Sequence, residues 1–207
     1  KRTFFHCRGA NDCFGVEDLL ESDATAKIFY LGYLMLLDRL DARDPDYGIA
    51  GARLLDAMRK RGMLTVVDFV SEAPEKFRHA VQSALPYIDV LVINEIEAGN
   101  SFGMVIRRAD GTLDRAALAE ASRRFIAGGT AKVIVHYPEG AYALTADGME
   151  LEIPSCKVER IVGTNGAGDA FCAGVLYGLY YDLPLAEALR LGSASAAFNL
   201  GSPTASG

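Results

Sequence analysis

Short apolar runs alternate with longer amphipathic segments through most of this chain, and this alternation constrains the fold more than any other feature. Strand-like runs, rich in β-branched and other apolar residues, occupy residues 27–31, 64–69, 89–94 and 132–136. Helical spacing runs through residues 46–61, 74–85 and 114–127. Strands that are apolar on both faces and alternate with helices are typical of a parallel sheet covered by helices on each side. The pattern therefore predicts an α/β fold, a three-layer α/β/α sandwich with a mostly parallel central sheet.

The two ends of the chain add a hairpin, two helices and one further strand. Residues 141–145 and 149–153 are predicted to form a hairpin around Asp147-Gly148, and helices are predicted at about 167–181 and 184–200. Residues 2–7 favour a strand that runs into a turn at Gly9-Ala10-Asn11-Asp12. With 207 residues, 50% of them hydrophobic, the chain is expected to form a single domain over residues 1–207.

A glycine-rich turn runs directly into the first of the two final helices. Gly166, Ala167 and Gly168 are followed by Asp169 and then by a small, apolar helical segment. Backbone N–H groups of such a turn can bind an anion, and the helix N-terminus adds unpaired donors and a favourable dipole. A carboxylate beside a bound phosphate would be repelled by it, unless the carboxylate first takes a proton from the group that attacks the phosphate. The combination suggests phosphoryl transfer to an alcohol.

A structural interpretation of the same turn stays open. Glycine-rich turns are common before helices, and an acid in the first turn often only complements the helix dipole. The turn is not a Walker P-loop, because no Gly-Lys-Ser/Thr follows it. The spacing of Gly163, Gly166 and Gly168 also differs from a dinucleotide-binding fingerprint.

A second polar group follows one of the predicted strands. Asn94 ends the apolar run at residues 89–94, and Glu97 lies one helical turn beyond it. Asn94 could hydrogen-bond a phosphate or a metal-bound water, and Glu97 could hold Mg²⁺ through water. The alternative is a helix cap with Glu97 as its capping-box partner, and both roles are compatible. Asp68, Asn94 and the loop at Gly163 all follow strands, where ligands of parallel sheets collect.

Composition excludes several classes of function. The net charge is −6 and no basic tract occurs, so nucleic acid is a poor candidate partner. The four cysteines show no metal-ligand spacing with the histidines, and Cys172 is expected to be a buried, inert thiol. No apolar run is long enough to span a membrane, and the cysteine usage fits a reducing cytoplasm.

These residues together resemble the ribokinase family of carbohydrate kinases, also called the pfkB family. The stretch from Gly166 to Phe171, with Ala173-Gly174 after it, is similar to the C-terminal signature of that family. Asn94-x-x-Glu97 resembles its magnesium and phosphate motif, and Leu31-Gly32-Tyr33 and Gly9-Ala10-Asn11 also resemble sugar kinases. The similarity extends over most of the chain in family order, and the chain resembles the fructokinase or 2-keto-3-deoxygluconate kinase type.

The resemblance implies ATP-dependent phosphorylation of a hydroxyl group. Asp169 would be the catalytic base, and the backbone N–H groups of Gly166, Ala167 and Gly168 would bind the moving phosphoryl group. Asn94 and Glu97 would organise Mg²⁺ and its waters.

The resemblance also implies where nucleotide and acceptor bind. The predicted nucleotide contacts are Thr164, Asn165, Gly140, Ala194, Ala197 and Asn199. Small residues such as Ala194 and Ala197 would make room for adenine, although close helix packing is the alternative. Arg8 and Asn11, together with Asp169, are predicted to face a polar acceptor, with a solvated surface position as the alternative for Arg8.

Two departures from the family pattern stand out. Gly163 replaces an aspartate that helps to hold a monovalent cation in relatives, so potassium activation is in doubt. The N-terminal Gly-Gly sugar motif and most of the β-sheet lid of the family are not found in this sequence. Residues 1–11 are interpreted as a remnant of that lid.

The sequence and the resemblance leave three candidate functions. The first is a kinase for a sugar, with fructose, 2-keto-3-deoxygluconate or a related sugar acid as the preferred acceptor. The second is a nucleoside kinase. The third is a non-catalytic regulatory protein that keeps the kinase fold. A homodimer formed through lid strands is also possible in this family.

Overall fold

The computed structural model describes residue 7, residues 9–70 and residues 74–205. The strands are β1 (Ile28–Leu34), β2 (Arg43–Asp44), β3 (Gly48–Ile49), β4 (Leu64–Phe69), β5 (Val90–Asn94), β6 (Lys132–Tyr137), β7 (Gly140–Thr145) and β8 (Glu150–Pro154). The helices are α1 (Val16–Leu20), α2 (Asp38–Asp41), α3 (Ala50–Lys60), α4 (Pro74–Ala84), α5 (Glu95–Phe102), α6 (Arg115–Ala127), α7 (Ala167–Tyr180) and α8 (Leu185–Leu200).

The central sheet is mostly parallel, as the sequence predicts. Its strand order is β1-β4-β5-β6-β7-β8, and β2 pairs with β3 in a separate small hairpin. The pairs β1–β4, β4–β5 and β5–β6 are parallel, so these four strands end at the same edge of the sheet. Strands β7 and β8 are antiparallel and form the hairpin predicted around Asp147-Gly148.

Successive side chains of the central strands pack on opposite faces of the sheet, which produces three layers. Val66, Val90, Val92 and Ile134 pack with residues of α7 and α8. Val67, Leu91, Ile93 and Val133 pack with residues of the helices on the opposite face. The predicted α/β/α sandwich is thus confirmed. Cys172 is buried in the α7 layer, where burial raises the pKa of its thiol to about 12, as expected of an inert core cysteine.

The predicted helix over residues 46–61 begins too early. Residues 43–49 form the β2–β3 hairpin, and α3 begins only at Ala50. Gly48 has a φ of +80° and lies so close to α4 that a Cβ there would be 2.3 Å from Ser83 Oγ. Ile49 is 1% exposed, so it contributes a core side chain at helical spacing from a strand position. The apolar spacing alone does not distinguish the two structures.

The N-terminal predictions fall largely outside the described residues. The strand predicted over residues 2–7 and the position of Arg8 lie there, so the lid remnant stays a prediction. Residues Gly9–Asp12 form a single 3-10 turn, in agreement with the predicted turn. In the described part of the chain, none of the helices combines the length and apolar character needed to cross a bilayer.

Candidate active site

The candidate site lies at the sheet edge where β4, β5 and β6 end. Parallel pairing places Asn94 of β5 directly beside His136 of β6. Asp68 is the penultimate residue of β4, the neighbour of β5 on its other side. Carboxyl ends of parallel strands are where α/β proteins bind ligands, and here three neighbouring strands each present a polar side chain.

Asn94 caps helix α5, as one of the two sequence interpretations predicts. Its Oδ1 accepts hydrogen bonds from the backbone N–H groups of Ile96 at 3.0 Å and Glu97 at 2.8 Å. Glu97 Oε2 lies 3.5 Å from the backbone N of Asn94 and completes a capping box. The cap fixes both side chains at the start of α5. It uses one side-chain oxygen of each residue.

A pair of carboxylates is buried at this edge. Asp68 is 6% exposed and Glu97 is 9% exposed. Burial first, and the charge of Glu97 second, hold the pKa of Asp68 well above its ordinary value, while the backbone N–H of Phe69 lowers it. A divalent cation between such carboxylates would relieve both the burial cost and the repulsion. In the part of the chain that the structure describes, no group of three or more His, Cys, Asp or Glu side chains is arranged to hold a metal ion.

The glycine-rich turn forms the N-terminus of α7. Gly166 is the N-cap residue with a φ of +77°, and Asp169 lies in the first turn of the helix. The first N–H groups of a helix have no partner within it, so those after Gly166 are available to an anion. A Cβ on Gly166 would lie 2.1 Å from the carbonyl oxygen of Ala205, so the chain after α8 requires glycine here.

Asp169 is the acid beside this turn. Its side chain is accessible to solvent, and partial burial of the carboxyl group raises the pKa of Asp169 above the ordinary aspartate value. A raised pKa increases the basicity of a carboxylate, which suits a group that accepts a proton from an alcohol.

His136 connects the turn to the strand ends. A Cβ on Gly168 would lie 3.3 Å from Cε1 and 3.6 Å from Nε2 of the imidazole. The same ring lies against Phe171 of α7, with the ring centroids 5.0 Å apart. Burial lowers the pKa of His136 to about 4, so the imidazole is neutral at physiological pH. No local pattern in the sequence indicates the contact of His136 with Gly168.

The residues before the turn follow a path that excludes side chains at one position. Gly163 lies against the segment after α8, and a Cβ there would be 2.6 Å from the carbonyl oxygen of Ser202. Thr164 and Asn165 are exposed and lead into Gly166. A side chain at residue 163 would therefore meet the backbone of the segment that follows α8.

An open cavity of about 580 Å³ lies beside the end of α8. Its lining comes from the segment 156–159 and from α8, and includes Ala194, Ala197 and Phe198. Phe198 is 81% exposed at the wall of this cavity. The cavity is within the size range of small-ligand sites. The structure thus brings two of the predicted nucleotide contacts, Ala194 and Ala197, into one cavity.

Two other predicted nucleotide contacts do not line this cavity. Asn199 is 3% exposed, and its Nδ2 donates to the carbonyl oxygen of Ala205 at 3.0 Å. Among the described residues, the buried Oδ1 of Asn199 has no hydrogen-bond partner. Gly140 begins β7, and a Cβ there would be 2.1 Å from the carbonyl oxygen of Ile153. Pairing with β8 therefore explains the glycine. Asn11, the described residue of the predicted acceptor pair, is exposed in the turn Gly9–Asp12.

Comparison with known proteins places the chain in a family. The sequence profile of pfkB family carbohydrate kinases matches residues 1–207. The chain belongs to the pfkB family. The resemblance noted in Asn94-x-x-Glu97 and in the signature from Gly166 to Phe171 is thereby confirmed at the level of the family.

Individual relatives within the pfkB family match shorter stretches. The 5-dehydro-2-deoxygluconokinase of Listeria monocytogenes is 35% identical over 79 residues, which cover 37% of this chain and 24% of the relative. The cytidine kinase of Thermococcus kodakarensis is 31% identical over 139 residues, which cover 65% of this chain and 46% of the relative. The match to each relative thus spans less than half of that relative's length.

A solved structure shows the same fold. The ribokinase of Arabidopsis thaliana, determined with ribose and ATP, superposes with a TM-score of 0.63 at 21% identity and covers 74% of this chain and 46% of its own. The ribokinase-like architecture of this pfkB chain is confirmed by that match.

Proposed function

We propose that this chain carries the ATP-binding and catalytic part of a kinase that phosphorylates a hydroxyl group of a sugar or sugar acid. The proposal rests on one contact. His136 of β6, which lies beside Asn94 of β5, contacts Gly168 in the turn that begins α7. A base, a set of backbone donors and two carboxylates are then available in one region. Family membership supports the same chemistry.

The residues present fit ATP and Mg²⁺. The cavity beside Ala194, Ala197 and Phe198 has room for a purine base, and the α7 N-terminus is suited to phosphate. Asp68 and Glu97 are two buried carboxylates, and Mg²⁺ uses one or two carboxylates together with phosphate oxygens and water. Bound at this edge, ATP would supply the phosphoryl group, and Mg²⁺ would neutralise part of the negative charge of the phosphates.

The chain's own residues then have distinct tasks. Asp169 accepts the proton from the acceptor hydroxyl as its oxygen bonds to the phosphorus. The N–H groups of the Gly166–Gly168 turn hold the oxygens of the phosphoryl group as negative charge develops on the leaving ADP oxygen. Asn94 and Glu97 would orient Mg²⁺ and its waters from the start of α5. Thr164 and Asn165 border the phosphates, and Arg8 and Asn11 contribute to the acceptor side.

The acceptor is proposed to be fructose, 2-keto-3-deoxygluconate or a related sugar acid. Relatives named 5-dehydro-2-deoxygluconokinase and 2-dehydro-3-deoxygluconokinase, the latter from Bacillus subtilis, support a sugar acid. A nucleoside acceptor is the second candidate, because the cytidine kinase match covers more of this chain than the sugar-acid kinase matches do. A location in the cytoplasm and a homodimer stay predictions.

The proposal is tested by ATP turnover of the intact protein with hexoses, sugar acids and nucleosides. Turnover with a sugar or sugar acid supports the proposal, and turnover with nucleosides alone selects the second candidate. ATP binding without phosphorylation of any acceptor contradicts both and favours a regulatory protein on a kinase fold.

A further inference from the structure

One arginine joins the start of α5, which follows β5 directly, to the turn between β6 and β7. Arg107 Nη1 and Nη2 donate to Glu139 Oε1 and Oε2 at 2.7 Å and 2.8 Å. Arg107 Nε donates to Glu95 Oε1 at 3.1 Å, and Nη1 also donates to the carbonyl oxygen of Gly111 at 2.7 Å. The guanidinium group therefore binds two carboxylates from separate parts of the chain, α5 and the β6–β7 turn, and one backbone carbonyl from its own segment.

Both carboxylates lie close in sequence to candidate site residues. Glu95 follows Asn94 directly and shares the first turn of α5 with Glu97. Glu139 lies in the tight turn between β6 and β7, three residues after His136. Because β5 and β6 are adjacent, this link joins the start of α5 to the turn that follows His136 and β6.

Two of the three side chains in this link are largely buried. The side chains of Arg107 and Glu95 are 15% and 10% exposed, whereas that of Glu139 is 56% exposed. Bidentate pairing with Glu139 requires the planar fork of arginine, which lysine lacks.

We propose that Arg107 is a positioning residue of the nucleotide site, which sets the affinity for Mg·ATP by holding the start of α5 and the β6–β7 turn at a fixed spacing. The inference rests on the proposed function. Arg107 acts through Asn94 and Glu97 on one side and through the β6–β7 turn on the other. Loss of a contact that orients metal-binding residues typically weakens metal affinity or activity by about 10- to 100-fold.

The neighbouring Arg108 provides a matched control. Its Nη2 donates to Asp114 Oδ2 at 2.6 Å, and its side chain is 60% exposed. Arg108→Lys therefore changes the same residue type in the same segment without affecting the contacts to Glu95 or Glu139. Arg107→Lys removes the fork but keeps the charge, and Glu139→Gln weakens the link from its exposed end, with little expected effect on folding.

The experiment measures the dissociation constant of Mg·ATP by calorimetry, the KM values for Mg·ATP and acceptor, kcat, and the thermal unfolding midpoint. We expect Arg107→Lys and Glu139→Gln to raise the dissociation constant and the KM of Mg·ATP by about tenfold. The acceptor KM should stay unchanged, and Arg108→Lys should match wild type throughout.

Each other outcome overturns a defined part of the account. If wild type binds Mg·ATP and both variants bind it equally well, the positioning role is wrong while the kinase proposal stands. A fall in kcat and unfolding midpoint at unchanged KM would reduce Arg107 to a structural role. Mg·ATP binding by wild type without phosphorylation contradicts the kinase proposal, and the variants still test the link. Failure of wild type to bind Mg·ATP contradicts both.

Discussion

The imidazole of His136 lies against the backbone of Gly168, with Cε1 only 3.3 Å from where a Cβ of residue 168 would be. This contact connects β6, whose neighbour β5 carries Asn94, to the turn that begins α7. On the other side of the same turn, Gly166 lies against the carbonyl oxygen of Ala205. The proposed phosphate site is thus held between the sheet and the segment that follows α8.

Gly166→Ala should reduce kcat by at least about 10²-fold, because displacement of the turn removes backbone donors from the phosphoryl group. The added methyl group would lie 2.1 Å from Ala205 O, so the turn has to move. Gly148→Ala is the control, since Gly148 has a φ of +89° and open space around its Cβ position. Both variants incur about 1–2 kcal/mol of left-handed backbone strain, measured by denaturant unfolding. Equal kcat values for the two variants would contradict the assigned role of the turn.

Glu97→Gln should raise the Mg²⁺ concentration needed for half-maximal turnover by about tenfold. Glutamine can replace glutamate in a capping box, so helix α5 keeps its N-terminal cap while the negative charge is lost. The variant therefore separates the metal role of Glu97 from its observed capping role. The measurement is a Mg²⁺ titration at saturating ATP and acceptor. An unchanged titration curve would show that Glu97 serves only as a cap.

Turnover should not depend on potassium. Gly163 has no side chain to offer a cation, and the carbonyl oxygen of Ser202 lies 2.6 Å from where a Cβ would be. Initial rates are compared in equal concentrations of potassium, sodium and tetramethylammonium chloride. Rates within twofold of one another are expected, whereas a several-fold increase specific to potassium would mean that a monovalent cation is bound by other groups.

The acidic limb of the pH profile should lie above the ordinary aspartate range. Asp169 acts as a base only when ionised, and partial burial raises its pKa. The value of kcat/KM for the acceptor should therefore fall as the pH decreases through a pKa higher than about 3.9. His136→Gln should leave this limb in place even if it lowers the rate. A profile that stays flat down to pH 4 would contradict Asp169 as the base.

Much of the fold follows from local sequence pattern. The apolar runs at β4, β5 and β6 are predicted to within a residue, because strands buried on both faces have a continuous apolar signal. The start of α3 is wrong, because Ile49 occupies a core position at helical spacing while belonging to β3. The helices α1 and α2 are too short, at five and four residues, to show a period.

In the candidate site, too, some features could be predicted from local sequence and others could not. Asn94, Glu97 and the Gly166–Asp169 turn are contiguous motifs, so their residue types and spacing are visible in the sequence. The contact of His136 with Gly168 and the link from Arg107 to Glu139 span about thirty residues each and leave no local pattern. Asn199 shows the reverse case, since a residue predicted to contact the nucleotide is buried against the end of the chain instead of lining the cavity.

The most direct test of the account is a comparison of Asp169→Asn with wild type in the intact protein. ATP turnover with the acceptor and ATP binding by calorimetry are measured side by side. Asp182→Asn, two residues beyond the end of α7, is the control. The account predicts that Asp169→Asn lowers kcat by at least about 10²-fold while the dissociation constant of Mg·ATP changes less than threefold. Equal turnover by Asp169→Asn and wild type would contradict the assignment of Asp169 as the base.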